Sequence, residues 1–344
     1  MEGITTVGLD LAKNVFQVHA VDAGGEIIVR RALRRAQVLA FFEKLSPCLV
    51  GMEACGSAHY WAQQIGTMGH TVRLMPPAYV KPYVKRNKTD AADAEAICEA
   101  VTRPTMRFVP VKGQEQQSVA IVLRTRDLLS KQRTQLINAL RGHMAELGII
   151  TAAGAKNCGK LIEIVRDQVD GRLPDLAREA LAEIAQQIQN LDDRLALLER
   201  KIVAAVRQDE VARRLTGIPG VGPITAATIR AAVPDPAGFR TGRDFAAWIG
   251  LTPRSNSSGG KERLGSISKR GNAQLRSLLV VGAIAILKLS RHGFSLMPWI
   301  ENLLRKRPYK VVAVALANKT ARIIWALMTK GGRYSGPKAI PQPQ

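Results

Sequence analysis

Four acidic residues stand where a divalent-metal site would need them. Asp10 closes the apolar run "ITTVGLD", Glu53 closes "CLVGME", and Asp90 and Asp93 open the segment "DAADAEAICEAV". Residues three apart on a helix share a face, so Asp90 and Asp93 project together. If the two apolar runs are neighbouring strands, Asp10 and Glu53 converge at their ends and the helix brings in the other pair. Gathered carboxylates repel one another unless cations neutralise them. Hard oxygen donors of this kind suit Mg²⁺ or Mn²⁺. Two such ions about 3.5–4 Å apart can clamp the attacking and leaving oxygens of a phosphodiester displacement. Each acid also has a plainer reading. Asp90 is an N-cap with Asp93 bonding back, Asp10 caps a turn, and Glu53 is a surface residue. The order of all four along the chain favours chemistry. The basic residues Lys85, Arg86 and Lys88 just before Asp90 would draw a phosphate toward the acids.

A second constellation is "GLTPRSNSSGGKERLGSISKRGN", residues 250–272, which joins hydroxyls, glycines and bases. The plain reading is a basic loop that holds phosphates. The chemical reading is nucleophilic, since a serine helped by a base, a metal or cations can attack a phosphodiester. Arg254, Lys261 and Arg263 would then offset the transition-state charge, and Lys269 and Arg270 extend the basic surface. The third is "LTGIPGVGPITAATI", residues 215–229, with Gly220 and Gly222 between two helical stretches. It reads as a helix-hairpin-helix, whose glycines let backbone approach a DNA phosphate regardless of base sequence; the plain reading is a tight turn.

The elements that must position these residues follow from periodicity. Residues 4–10, 14–22 and 27–33 read as strands, with "AGGE" turning the second into the third. A helix, a strand ending at Glu53, a helix, the strand "HTVRLM" and a helix from Asp90 to Val101 come next. That order predicts an α/β domain with a mixed sheet over residues 1–110. Residues 114–148 and 175–208 read as two long helices within an arm spanning 111–210, either a coiled-coil arm that dimerises or one packed only on itself. Residues 211–330 read as mainly helical with a loop at 252–272, and residues 331–344 as a disordered tail.

The totals point to a polyanion. Net charge is +22, and residues 254–344 carry 17 Lys and Arg against 2 acids, so the contact is expected there. Four scattered cysteines without a CxxC pair argue against zinc and against a disulfide framework. No secretory signal or confident membrane span is read, so the cytoplasm is the expected location.

The acids, in this order, resemble the ribonuclease-H-like fold of Holliday-junction resolvases of the RuvC type. Together with "GIPGVGPITAA" and the block "TPR…SGGK…ISKRGN…LR", they make the chain closely resemble the DEDD-type transposases of bacterial insertion sequences, from about residue 5 to residue 330. The resemblance implies an RNase-H-like DEDD domain, a helical arm and a serine-bearing C-terminal domain. It implies a recombinase that excises and inserts its own element in a bacterial cytoplasm, at the nucleoid. Asp10, Glu53, Asp90 and Asp93 would hold Mg²⁺ or Mn²⁺, and Ser258 would form a phosphoserine link to DNA. By register Ser258, rather than its neighbour Ser257, is the nucleophile. Dimers and tetramers, and a structured non-coding guide RNA, are also implied by the resemblance alone. Two other readings stay open: a metal-dependent nuclease or junction resolvase without a serine nucleophile, and a non-catalytic architectural protein.

Overall fold

A five-stranded sheet carries the first of the two compact units into which the chain divides, Met1–Gln117 with Val233–Gly238. The computed structural model describes residues 3–85, 89–152, 154, 157–256, 263–289 and 297–335. Its strands are β1 (Thr6–Asp10), β2 (Val15–Val21), β3 (Ile27–Arg34), β4 (Leu49–Glu53) and β5 (Thr71–Met75), in the order β3-β2-β1-β4-β5. The β1, β2 and β3 pairings are antiparallel, and β4 pairs parallel with both β1 and β5. This mixed α/β sheet is consistent with the expected DEDD, RNase-H-like domain. The β2–β3 turn forms because Asp22 accepts hydrogen bonds from the Gly24 and Glu26 amides at 2.8 and 2.9 Å, while Gly25 takes φ +89°.

Alternation along the strands decides the two faces. Leu9, Phe16, Val18, Met52 and Leu74 point to one side, where α1 (Val38–Phe42) and α2 (Ala58–Thr67) contribute Phe41, Phe42, Trp61 and Ile65 to a single core. Toward the other side lie α3 (Pro77–Val80) and α4 (Asp90–Val101), which bury Val80, Ile97 and Val101 against Met75.

The second unit, Ser118–Ala232 with Phe239–Gln344, is mainly helical. The helix α5 (Gln114–Glu146), most of which lies in this unit, packs with α6 (Cys158–Arg166) and α7 (Asp175–Gln208) around Ile137, Leu140, Met144, Leu161, Leu181 and Ile188. Buried Arg178 satisfies the last carbonyls of α6, donating to Ile164 at 3.0 Å and Val165 at 3.2 Å and also to Asp167. The helices α8 (Glu210–Leu215), α9 (Pro223–Ala232) and α10 (Gly242–Ile249) follow, then α11 (Ala273–Leu289), α12 (Pro298–Lys306) and α13 (Tyr309–Lys330). Among the described residues α13 is the one helix long and apolar enough to cross a membrane; here it packs on α8, α10, α11 and α12 and buries Val312, Leu316 and Ile324. The segment expected to be a loop at 252–272 contains a short hairpin, β6 (Pro253–Ser255) with β7 (Leu264–Ile267). Its strands are exposed on both faces, so they leave no hydrophobic alternation to read. Residues 336–344 of the expected tail lie outside the described residues.

Candidate metal centre and nucleic-acid elements

The strand ends are set by a repeated tetrapeptide. Val7-Gly8-Leu9-Asp10 on β1 and Val50-Gly51-Met52-Glu53 on β4 pair residue for residue, Val7 with Val50, Gly8 with Gly51 and Leu9 with Met52. Asp10 and Glu53 come next, at the carboxyl ends of adjacent strands and on the face that bears the two glycines. Those glycines are what let α4 lie down. A Cβ on Gly8 would collide with the Ala94 carbonyl oxygen and sit 2.5 Å from the Cys98 nitrogen. A Cβ on Gly51 would sit 2.8 Å from Val101 Cβ. With both missing, the helix backbone rests on the sheet, antiparallel to β1, and its first turn arrives over Asp10.

One carboxylate oxygen from each of Asp10, Asp90 and Asp93 lies within 4.8 Å of the others. Asp10 and Asp93 are half-buried and Asp90 is exposed. The capping role belongs to Thr89, whose Oγ1 accepts from the Ala92 amide at 3.2 Å, so Asp90 is the first helical residue rather than its cap. Glu53 ends the neighbouring strand half-buried, but its carboxylate is not part of the group of three. Oxygens bound to Mg²⁺ at about 2.0–2.1 Å stand roughly 3–4 Å apart around the ion. The donor set therefore fits a hard divalent ion after a small side-chain adjustment.

Lys85, expected to attract phosphate, reaches the Glu95 carboxylate at 3.0 Å while staying largely exposed. Its hydrogen bond and charge hold the Glu95 carboxyl below the usual range against the effect of burial. Arg86, Lys88, Lys261, Ser257 and Ser258 lie outside the described residues.

In the second unit the expected phosphate-binding hairpin joins α8 to α9. Gly220, at φ +79°, sits against α11: a Cβ there would lie 2.9 Å from the Gly282 carbonyl oxygen. Its need for glycine is thus met by close packing, whereas Gly222 has open space around its Cα. Arg254 donates to the Ser268 carbonyl at 3.2 Å, which ties β6 to the strand after it, and the Arg263 carbonyl accepts from the Asn256 amide at 2.9 Å. Lys269 holds φ +54°, a left-handed conformation unusual outside glycine, and Arg270 follows it.

Sequence reading missed the residue that fixes this basic turn. Arg276 of α11 donates to the Ile249 carbonyl at 2.9 Å and reaches the Arg270 carbonyl at 3.4 Å. It also missed Gly8 and Gly51, although the duplicated Val-Gly-apolar-acid pattern was the signal that could have found them.

Two stretches of the chain match known transposase families. Residues 7–149 match the DEDD transposase domain of the IS110 type, a class whose chemistry implies a divalent metal, and residues 212–295 match the family described as "Transposase IS116/IS110/IS902 family". A "Probable family 20 transposase" of Pseudomonas aeruginosa is 51% identical over 96% of this chain and 98% of its own length. The "Transposase for insertion sequence element IS1111A" of Coxiella burnetii is 41% identical, over 97% of this chain and 92% of its own. That for IS1328 of Yersinia enterocolitica is 37% identical, over 97% of this chain and 100% of its own. With acids gathered at the strand ends and likeness along nearly the full chain, the protein belongs to the IS116/IS110/IS902 family of transposases and is an enzyme of DNA transposition.

Proposed function

We propose that the protein excises and inserts an insertion sequence through a phosphoserine link, at a phosphate held by a DEDD metal site. The observation that carries the reading is the convergence of Asp10, Asp90 and Asp93. Asp10, Glu53, Asp90 and Asp93 hold the ion, taken as Mg²⁺ or Mn²⁺ from the all-oxygen donor set. Glu53, at the end of the strand paired with β1, completes the set. A bound ion supplies charge neutralisation and orientation to the scissile phosphate.

The remaining work falls to the chain. Ser258 Oγ attacks phosphorus; the serine–phosphorus bond forms as the bond to the 3′ oxygen breaks, and the hydroxyl proton ends on that oxygen. Attack by a 3′-hydroxyl of another strand reverses the step, so strands rejoin without ATP. Arg254, Lys261 and Arg263 offset the charge that builds on the phosphate. Gly222 and the amino end of α9 hold backbone phosphates, with Lys269 and Arg270 adding to the grip. Lys85 and the neighbouring Arg86 and Lys88 attract phosphate to the acids. A structured non-coding RNA provides the address, and the chain acts as dimers and tetramers, in the cytoplasm at the nucleoid. Family resemblance supports these last assignments.

Two variants test the reading. Millimolar Mn²⁺ is expected to raise the wild-type melting temperature, and Asp10→Asn is expected to abolish that rise and to lower recombination at least a hundredfold. Ser258→Ala leaves the Mn²⁺ response intact and removes the covalent protein–DNA adduct seen after denaturing electrophoresis. Normal cleavage by Ser258→Ala would replace the serine mechanism with water attack, as in a junction resolvase.

A further inference from the structure

The edge strand β3 carries the run "IIVRRALR", and alternation sends its arginines to opposite faces. Arg31 lies on the core side, its guanidinium 5.1 Å from the Phe41 ring centre, and just past the strand Arg35 stands 5.0 Å from that of Trp61. These two cover the edge of the hydrophobic core and are structural. Arg30 and Arg34 point to the other side, paired across β2 with His19 and Val15. Both are exposed, and neither makes an ion pair among the described residues.

That face also bears the acids. Register pairs Asp10 with Gln17 and Gln17 with Ala32, so one row crosses three strands from the acid cluster to the edge. With strands about 4.8 Å apart, the row spans about 10 Å of backbone. Arg30 and Arg34 flank Ala32, two residues to each side, about 13 Å from one another along the strand. The surface between them is open: Ala32 is exposed and Val15 keeps 44% of its surface. His19, deeper on the same face, is buried, and its Nδ1 has no hydrogen-bond partner among the described residues. Burial lowers the His19 imidazole from its usual value against the opposing charge of Glu95, with the charges of Arg30 and Lys85 adding to the lowering.

We infer that this open face of the β2–β3 hairpin is a second nucleic-acid contact, on which Arg30 and Arg34 hold phosphates of one DNA strand beside the Asp10 cluster. It rests on the reading of that cluster as the site where a phosphodiester is cut. Charge complementarity names the occupant. Two unpaired guanidiniums on an exposed sheet face next to a metal-binding acid group suit a polyanion whose scissile phosphate lies a short step away. A duplex rises about 3.4 Å per nucleotide along each strand, so a 13 Å spacing selects phosphates that are not neighbours. The arginines thereby fix the direction in which the strand crosses the acids as well as its affinity.

The test uses the full chain and fluorescein-labelled DNA, with binding followed over a salt range. The double variant Arg30→Gln, Arg34→Gln is expected to lower the slope of log affinity against log salt by about 2, roughly one phosphate per arginine. Its melting temperature rise in Mn²⁺ stays equal to that of the wild type. The variant Arg31→Gln melts lower yet keeps the full slope. An unchanged slope in the double variant overturns the inference, as does an equal change in Arg31→Gln. Loss of binding to an RNA of the same sequence, with DNA binding intact, overturns it in favour of an RNA contact. Absence of any Mn²⁺ response in the wild type would instead sink the metal reading while leaving the arginine contact measurable.

Discussion

At Gly8, one methyl group decides whether the acids meet. The neighbours of the missing Cβ are backbone atoms of Ala94 and Cys98, which cannot turn away as a side chain can. Overpacking a tight contact typically costs about 1–3 kcal/mol, and Gly8→Ala is expected at the top of that range because α4 itself must lift. At Gly51 the nearest atom is Val101 Cβ, which no side-chain rotation moves, so Gly51→Ala is also expected to cost about 1–3 kcal/mol. Urea unfolding measures both. Since lifting α4 carries Asp90 and Asp93 off Asp10, Gly8→Ala also weakens the Mn²⁺-induced rise in melting temperature. A Gly8→Ala protein with normal stability and normal metal response would show that the close approach is not what assembles the site. Cys98, beside Gly8 and donating toward the Thr6 carbonyl, has its thiol pushed up to about 11 by burial, so it packs as a small apolar group rather than a reactive one.

Between elements, the hairpin region depends on one ion pair. Asp209 caps α8 through the Ala212 amide at 2.9 Å and accepts from Arg230 of α9 at 2.7 Å. Burial alone would push this carboxyl up, but the hydrogen bonds from Arg230 and from the Ala212 and Val211 amides outweigh it and hold it below the ordinary range. A carboxyl lowered by folding stabilises the native state above its unfolded value, near pH 4, and loses that contribution as pH falls further. The variant Asp209→Asn keeps a good cap and loses the charge. It should therefore be less stable than the wild type by about 1 kcal/mol at pH 7, with the gap closing below about pH 4. Melting curves across pH check this, and a gap that is constant with pH would assign the loss to the cap geometry. The helices and strands that carry these contacts were legible from periodicity: α4 was expected at Asp90–Val101, and α5 and α7 at 114–148 and 175–208. The β6–β7 hairpin was not, because strands exposed on both faces leave no apolar alternation.

For the whole molecule, charge is the governing quantity. The net +22 is concentrated in residues 254–344, so the C-terminal quarter should dominate the salt dependence of DNA binding. Replacing both Lys269 and Arg270 by Gln is expected to reduce the slope by about 2 while leaving melting temperature and Mn²⁺ response unchanged. Both are exposed, and Arg276 reaches the turn through backbone carbonyls that the substitutions keep. A fall in melting temperature would reassign them to structure.

The sequence by itself determined the residue types: oxygen donors for a hard ion, a duplicated Val-Gly-apolar-acid at two strand ends, and the basic excess. Local periodicity is written in consecutive residues, so the elements could be read with it. Only the tertiary structure decided which residues meet. It showed that Asp10, Asp90 and Asp93 converge while Glu53 stands beside them, that Thr89 and not Asp90 caps α4, and that Arg30 and Arg31 have opposite fates. The physical reason is that convergence depends on strand register and on how closely a helix can approach a sheet. Those distances are set by contacts between residues far apart in the chain, such as Gly8 against Ala94.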